Sequence, residues 1–525
     1  MKRLAAVLAA LTLAVAAPLP TTTIARQPQP EHGQPRGRAD VQGERRPERA
    51  APDGRRLPPD SVTQHTVELP GRTLRFTATA GALPLTDPEG RLQAEIGFVA
   101  YTLDGADRAA RPVTFALNGG PGAASAYLHL GVLGPWRLPL DGPTISPSAP
   151  VSLTPNAETW LDFTDLVFID PVETGYSCAT ASGEDLQNRY FTVEGDATYL
   201  AAVIARWLRT NDRLASPKFF IGESYGGFRG PLIAHKLQSD YGAAFSGLVL
   251  LSPVLDFGWF SQPRHAPWVH AVRLPSLAAS ALEAKGPVTR ERLKEAESYA
   301  VGEYLTDLMR GLQDPVAVER VSSRVAALTG VDPALARRMA GRTDMNTFQH
   351  ALGAPGRVVS AYDTGISGYD PEPTAVLSRS EDPLLTAMTP PLTSAIVDHL
   401  ALTLNWKVLD ARYNLLNGSV NGQWRWGRGR GQPESVSDLR QALALDGKLR
   451  VLVAHGFTDL VTPYFASQLL LNQLPDFGPD RVSLAVYPGG HMFYSRPGSR
   501  AAFRDDALRL YRAALDARSD GRTGP

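Results

Sequence analysis

Six short apolar segments spread through a chain of 525 residues predict an α/β protein built on a doubly wound, mostly parallel sheet. They are Pro112 to Leu117, Asp165 to Asp170, Lys218 to Ile221, Gly247 to Leu251, Leu449 to Ala454 and Val482 to Tyr487. Each is bounded by turn residues, and helix-like stretches such as Glu194 to Arg209 lie between them. Two further observations shape the prediction. The strand rhythm stops between about Pro253 and Asp446, and a serine on a glycine-framed turn, Gly222-Glu223-Ser224-Tyr225-Gly226, follows the third segment.

Taken in order, the chain opens with Met1-Lys2-Arg3, an apolar stretch from Leu4 to Ala17, and small residues at Ala14-Val15-Ala16. That pattern predicts a secretory signal peptide over residues 1–16, with an uncleaved amino-terminal anchor as the alternative. Residues 17–60 are rich in Pro, Arg, Glu and Gly and carry almost no large apolar side chain, so they cannot offset their ordering entropy and read as a disordered linker. Alternation over Val62 to Leu69 and Thr73 to Thr79 then announces strands, and residues 61–252 read as the first part of an α/β core. Residues 253–446 read as a helical cap insertion, with helix-like runs at Thr289 to Leu312, Val316 to Leu328, Pro333 to Arg342 and Leu392 to Leu416. Asp332 before Pro333 resembles an N-cap followed by proline at the first helical position. Residues 447–518 complete the core.

Acidic and basic residues balance at 53 each, which argues against nucleic acid or an anionic membrane surface as a partner. No later segment is apolar for long enough to span a bilayer, so the expectation is a soluble protein, secreted or periplasmic, without a membrane partner after signal cleavage. Cys178 is the only cysteine, so no intramolecular disulfide can form, and it reads as a small buried hydrophobe rather than a nucleophile. His265 and His270 lack a carboxylate or third histidine at metal-ligand spacing and read as structural. The Trp424 to Gly431 segment reads as a flexible cap loop. No metal or cofactor is implied, and oligomeric state is not fixed.

The turn at Ser224 carries the chemistry. Glycines on either side let the backbone turn sharply from strand to helix, which exposes the hydroxyl at the carboxyl end of a parallel sheet. Leu232, Ile233 and Leu237 give the following Phe228 to Tyr241 its helical spacing. A serine hydroxyl needs a base and a carboxylate that orients the base. His491 follows the last strand in Pro488-Gly489-Gly490-His491-Met492, and Asp459 follows the preceding strand in His455-Gly456-Phe457-Thr458-Asp459. Serine, aspartate, histidine is the α/β-hydrolase order; His455 would reverse it, and Asp459 has a competing role as cap of a helix near Pro463. Asn118-Gly119-Gly120-Pro121-Gly122, directly after Pro112 to Leu117, is placed to supply an oxyanion donor, so Gly120 and Tyr225 are the expected backbone donors. The fold class is then an α/β-hydrolase, a doubly wound, mostly parallel sheet with a helical cap insertion.

Asn118 to Gly122, Asn156 to Trp160 leading into Val167 to Pro171 and Gly175-Tyr176-Ser177, Gly222 to Gly227, Asp459, and Gly490-His491-Met492 together resemble the serine carboxypeptidase family, as a bacterial-type member. The resemblance runs from about residue 90 to 255 and from about 440 to 500. It implies release of carboxyl-terminal residues from a peptide substrate through an acyl-enzyme on Ser224, with Asn118, Gly119 and Glu223 binding the terminal carboxylate. Glu223 would then have to be protonated, which implies an acidic optimum. The chain departs from the family at Val132, where a second glutamate is usual, at Phe457, where an acid is usual, and in lacking the cysteine framework; Glu173 is a candidate for the missing acid. Two other readings stand beside this one: an esterase or acyltransferase on a non-peptide acyl substrate with the same triad, and a non-catalytic protein on a hydrolase fold.

Overall fold

The computed structural model describes residues 56–519 apart from 141–144, 149–150, 261–264, 376–380 and 428–430. The expected signal peptide, nearly all of the linker, and residues 428–430 of the Trp, Arg and Gly segment lie outside the described residues.

The long strands of the main sheet are β1 (Ser61–Leu69), β2 (Arg72–Thr86), β3 (Leu92–Leu103), β4 (Val113–Leu117), β5 (Asp165–Ile169), β6 (Lys218–Glu223), β7 (Gly247–Leu251), β8 (Arg450–Gly456) and β9 (Val482–Tyr487). They lie in the order β1-β2-β3-β5-β4-β6-β7-β8-β9. From β5 to β9 every pairing is parallel, while β1, β2 and β3 add an antiparallel edge. β4, β5, β6 and β7 are buried throughout, which is why each reads as an unbroken apolar run rather than an alternation.

Alternate residues of those strands feed two separate cores, one on each face. Phe219, Ile221, Val249 and Leu251 join the cluster that holds Phe503, Ala507, Leu510 and Tyr511 of the Pro497–Ser519 helix. The ring of Tyr511 stacks on Phe219 at 3.8 Å. Phe220, Leu248 and Leu250 face the other way, onto Leu200, Ile204 and Leu208 of the Val193–Thr210 helix and Ile233 and Leu237 of the Tyr225–Tyr241 helix. Each such fully buried side chain contributes about 1.5–3 kcal/mol, so the two faces stabilise a chain that has no disulfide to help.

A third cluster belongs to the inserted helices: Leu274, Leu277, Leu293, Tyr304, Val321, Val325 and Phe348 pack together and meet Phe457, Leu460, Tyr464 and Phe465. Asp332 accepts a hydrogen bond from the Leu335 amide at 2.9 Å and starts the Pro333–Arg338 helix. The Val436–Leu445 helix, by contrast, buries Leu439, Ala442 and Leu443 in the sheet-facing cluster that also contains Ile233.

Several expectations need correction. β3 has no counterpart among the segments recognised in the sequence, and β2 runs on to Thr86. The run from Thr289 to Leu312 is two helices, Arg290–Val301 and Glu303–Arg310, because Gly302 leaves helical geometry at φ −105° and ψ −112°. The helix expected from Leu392 to Leu416 starts earlier, at Pro383, and ends at Asp398 with a π turn over His399–Thr403. Asn405 then takes φ 52°, and the chain runs on without helix until Leu416 bridges to Ala123. Cys178 is half-buried rather than buried, paired with Glu95 at the edge of β3.

Candidate active site

The registers Leu251 to Glu223, Leu251 to Ala454 and Ala454 to Ala485 align the carboxyl ends of β6, β7, β8 and β9. The loops that leave them therefore open on one edge, and that edge carries the residues the sequence singles out.

Ser224 joins β6 to the Tyr225–Tyr241 helix with φ 61° and ψ −122°, a region where a side chain costs about 1–3 kcal/mol. Its amide donates to the Leu251 carbonyl at 2.9 Å, and its carbonyl accepts from the Gly227 amide at 2.9 Å, so the turn is tied at both ends. A Cβ on Gly222 would stand 2.1 Å from the Gly226 carbonyl oxygen, which is why the turn needs glycine there. The β4 loop comes equally close: a Cβ on Gly119 would lie 2.5 Å from the Tyr225 amide nitrogen. Tyr225 opens the helix, where backbone amides lack intrahelical acceptors.

His491 and Asp459 meet. The His491 Nδ1 lies 2.7 Å from Asp459 Oδ2 and 3.0 Å from Thr462 Oγ1, and both residues are buried. Asp459 is fixed in its own turn, since Oδ1 accepts from the amides of Val461 and Thr462 at 2.8 and 2.9 Å and Oδ2 accepts from the Thr462 hydroxyl at 2.7 Å. The helix over Tyr464–Leu471 is preceded by Pro463, so Asp459 does not cap it. Burial alone would raise the Asp459 carboxyl, but the His491 charge and these hydrogen bonds outweigh it and hold the carboxyl low. Burial likewise works against a charged His491, and Asp459 and Glu223 outweigh it so that its pKa is raised. The imidazole is seated by its own backbone: the His491 amide donates to the Tyr362 carbonyl at 2.5 Å, and its carbonyl accepts from the Ser252 hydroxyl at 2.8 Å. His455 turns away, with Nε2 at 2.8 Å from Ser467 Oγ.

Glu223 is buried beside the serine. Asn118 Nδ2 donates to its Oε2 at 2.6 Å, and the Tyr494 hydroxyl lies 3.2 and 3.1 Å from its two oxygens. Burial pushes the Glu223 carboxyl up to about 7, against the lowering influence of His491, Tyr494 and Asn118. The Asn118 orientation is settled because its Oδ1 accepts from the Leu128 amide at 3.0 Å. Its carbonyl accepts from Arg229 Nη1 at 2.6 Å, and Arg229 is in turn paired with Asp196 at 2.6 Å, both fully buried.

Asn118, Gly119, Gly120, Glu223, Ser224, Tyr225 and His491 line one cavity of about 320 Å³. A larger cavity of about 970 Å³, around Glu283, Asp363 and Arg496, touches none of them, so size does not locate the chemistry. Glu173 does not line the Ser224 cavity; its Oε1 accepts from the Ala179 amide at 3.1 Å, which removes it as a replacement acid. Val132 is buried in a π turn over His129–Leu133, in apolar surroundings and away from the cavity. Phe457 packs its ring against Tyr464 in the cap cluster.

Residues 96–257 match the serine carboxypeptidase family model. The matched segment holds Asn118, Gly119, Gly120 and the whole Ser224 turn, but not Asp459 or His491. The chain is 31% identical over 175 residues to serine carboxypeptidase-like 33 of Arabidopsis thaliana, covering 31% of this chain and 34% of that protein. It is 32% identical over 209 residues to the pheromone-processing carboxypeptidase KEX1 of Komagataella phaffii, covering 37% of this chain and 30% of that one. The chain thus aligns with about a third of the length of each. These relatives are plant and fungal, which lends nothing to a bacterial-type assignment. The solved prohormone-processing carboxypeptidase Kex1 from Saccharomyces cerevisiae superposes with a TM-score of 0.54 at 16% identity, over 83% of this chain and 91% of that one. The fold is that of an α/β-hydrolase.

Ser252, Thr462, Tyr494, Arg229 and Asp196 were not singled out in the sequence. Ser252 had a usable signal, being the first residue beyond a parallel strand, where site residues gather. Tyr494 had a weaker one in standing three residues after His491.

Proposed function

We propose that the protein is a secreted serine carboxypeptidase-like hydrolase that releases the last residue of a peptide. The observation that carries this reading is Glu223, a carboxyl raised to about 7 and held by Asn118 beside the nucleophile. A protonated carboxyl donates a hydrogen bond to a carboxylate that is roughly twice as strong as one to the neutral oxygen of an ester or amide, which favours a free-acid substrate.

In this reading Asn118, Gly119 and Glu223 bind the terminal carboxylate and set the scissile bond over Ser224. The serine Oγ attacks the carbonyl carbon while its proton passes to His491 Nε2, the nitrogen left available because Nδ1 is engaged by Asp459. The amides of Gly120 and Tyr225 hold the oxyanion. Collapse breaks the C–N bond, and the leaving amine takes the proton from His491. Water then attacks the acyl-enzyme with His491 as base, which frees the shortened peptide and restores Ser224.

Secretion is part of the reading and rests on the leader pattern of residues 1–16; among the described residues no helix is long and apolar enough to cross a membrane. So is the division into a core of residues 61–252 and 447–518 around an insertion of residues 253–446. The separate cluster around Leu293, Tyr304 and Val325 supports it, although Leu439 and Leu443 pack on the core. The test is turnover of blocked dipeptides, their carboxamides and simple aryl esters, with Ser224→Ala as control. Ser224-dependent preference for free acids over amides supports the proposal. Turnover of esters alone sinks it in favour of an esterase or acyltransferase.

A further inference from the structure

Arg273 stands where the inserted helices meet the Ser224 cavity. It precedes the Leu274–Glu283 helix and lines the same cavity as Asn118, Glu223, Ser224 and His491. The same cavity has apolar lining residues in Val254, Phe257, Phe260, Leu385 and Val461. Its guanidinium is poorly satisfied. Nε is buried without a hydrogen-bond partner, and Nη1 reaches the Val269 carbonyl only at 3.5 Å.

Two fully buried arginines of this protein are treated differently from half-buried Arg273. Arg213 is paired with Asp165 at 2.5 Å and Arg229 with Asp196 at 2.6 Å. Among the described residues Arg273 has no carboxylate at ion-pair distance. Burial lowers its pKa, and Asp344, which caps the Met345–Ala351 helix through Thr347, only partly offsets this through space. A buried cation without an anion is costly, and the cost falls when an anion arrives. A guanidinium also matches a carboxylate with two parallel hydrogen bonds, which an ammonium cannot copy.

We propose that Arg273 binds a carboxylate of the substrate inside the Ser224 cavity and so makes acidic peptide ends the preferred substrate class. The proposal rests on the peptidase reading above. Glu223 and Asn118 already offer a place for the terminal carboxylate, which leaves the side chain of a final Asp or Glu for Arg273.

The experiment compares pairs of blocked dipeptides. One pair ends in Glu or Gln, so that only the side-chain carboxylate differs; the other ends in Leu or Leu-amide, so that only the terminal carboxylate differs. Wild type is expected to favour the Glu-ended member of the first pair at least tenfold in kcat/KM. That ratio should fall at least tenfold in Arg273→Met and be kept only in part in Arg273→Lys, whose ammonium supplies the charge without the paired hydrogen bonds. A fall in the second pair's ratio instead assigns Arg273 to the terminal carboxylate and overturns the preference for acidic ends. Unchanged ratios in both pairs, however far the rates drop, overturn the proposal.

A second measurement needs no peptide cleavage. In wild type, N-acetyl-glutamate should inhibit aryl-ester turnover at least tenfold more tightly than N-acetyl-glutamine, which lacks only the side-chain carboxylate, and Arg273→Met should abolish the difference. Equal inhibition by the two overturns the proposal. Ester turnover without peptide turnover removes the peptidase reading, while this comparison still decides Arg273.

Discussion

The Tyr494 hydroxyl sits between the two carboxyl oxygens of Glu223, at 3.2 and 3.1 Å, three residues after the histidine that meets Asp459. The hydrogen bond favours the charged form of Glu223, whereas burial favours the neutral one and wins. Tyr494→Phe removes that support. The Glu223 carboxyl then rises further, by about half to one pH unit if one ordinary hydrogen bond is lost. The alkaline limb of kcat/KM on free-acid peptides should move up by that amount, while aryl-ester turnover keeps its limb. An unmoved limb would mean that another group sets it.

Glu223→Gln separates proton holding from hydrogen bonding. A carboxyl raised in the folded protein keeps its proton more tightly there than in the unfolded chain. Its contribution to folding is therefore full below about pH 4.5 and is lost as the pH rises through about 7. The amide variant does not titrate, so its stability relative to wild type should grow from about pH 5 to about pH 8.5, by at most roughly 3 kcal/mol. Urea midpoints at the two pH values measure this. The opposite sign would show that Glu223 is ionised in the fold.

Asp459→Asn should leave the turn intact and the chemistry impaired. Oδ1 can still accept from the Val461 and Thr462 amides, so stability changes little. The new amide group would face His491 Nδ1, favouring the tautomer that cannot take a proton from Ser224. A fall of about four orders of magnitude in kcat is expected, read on an aryl ester and compared with Ser224→Ala.

Arg229→Met leaves Asp196 buried without its cation, with only the Tyr199 hydroxyl as partner at 3.2 Å. Loss of about 3–5 kcal/mol is expected from chemical denaturation, and much of it should return when Asp196→Asn is added. Because Arg229 Nη1 also holds the Asn118 carbonyl, the single variant should raise KM for free acids more than it lowers kcat on esters.

Much of this site was legible because its backbone demands are local. Only glycine fits at position 222, where the turn closes on itself, and histidine and aspartate must leave consecutive strand ends. Tyr494 meets Glu223 across 271 residues of chain, and nothing near either residue announces the pairing. The Asp196 and Arg229 pair was hidden for a related reason. Each sits within a helix whose apolar spacing dominates the pattern, and a charged residue there reads as solvent-facing until the fold shows otherwise. In the fold, β3 escaped because it is almost wholly buried, without the alternation that marked β1 and β2. The Leu392 to Leu416 run was overread because apolar residues continue past Thr403 into a non-helical stretch that packs Leu404, Trp406 and Leu415.

Ser224, Ser252, Asp459 and His491 leave four neighbouring strands, β6 to β9. Their baseline separation is therefore ruled by the hydrogen-bond ladder at roughly 4.8 Å per strand, a ruler made of peptide groups rather than side chains. Drift in the helices outside that ladder can change what lines the cavity without changing the spacing of the residues that leave the strand ends.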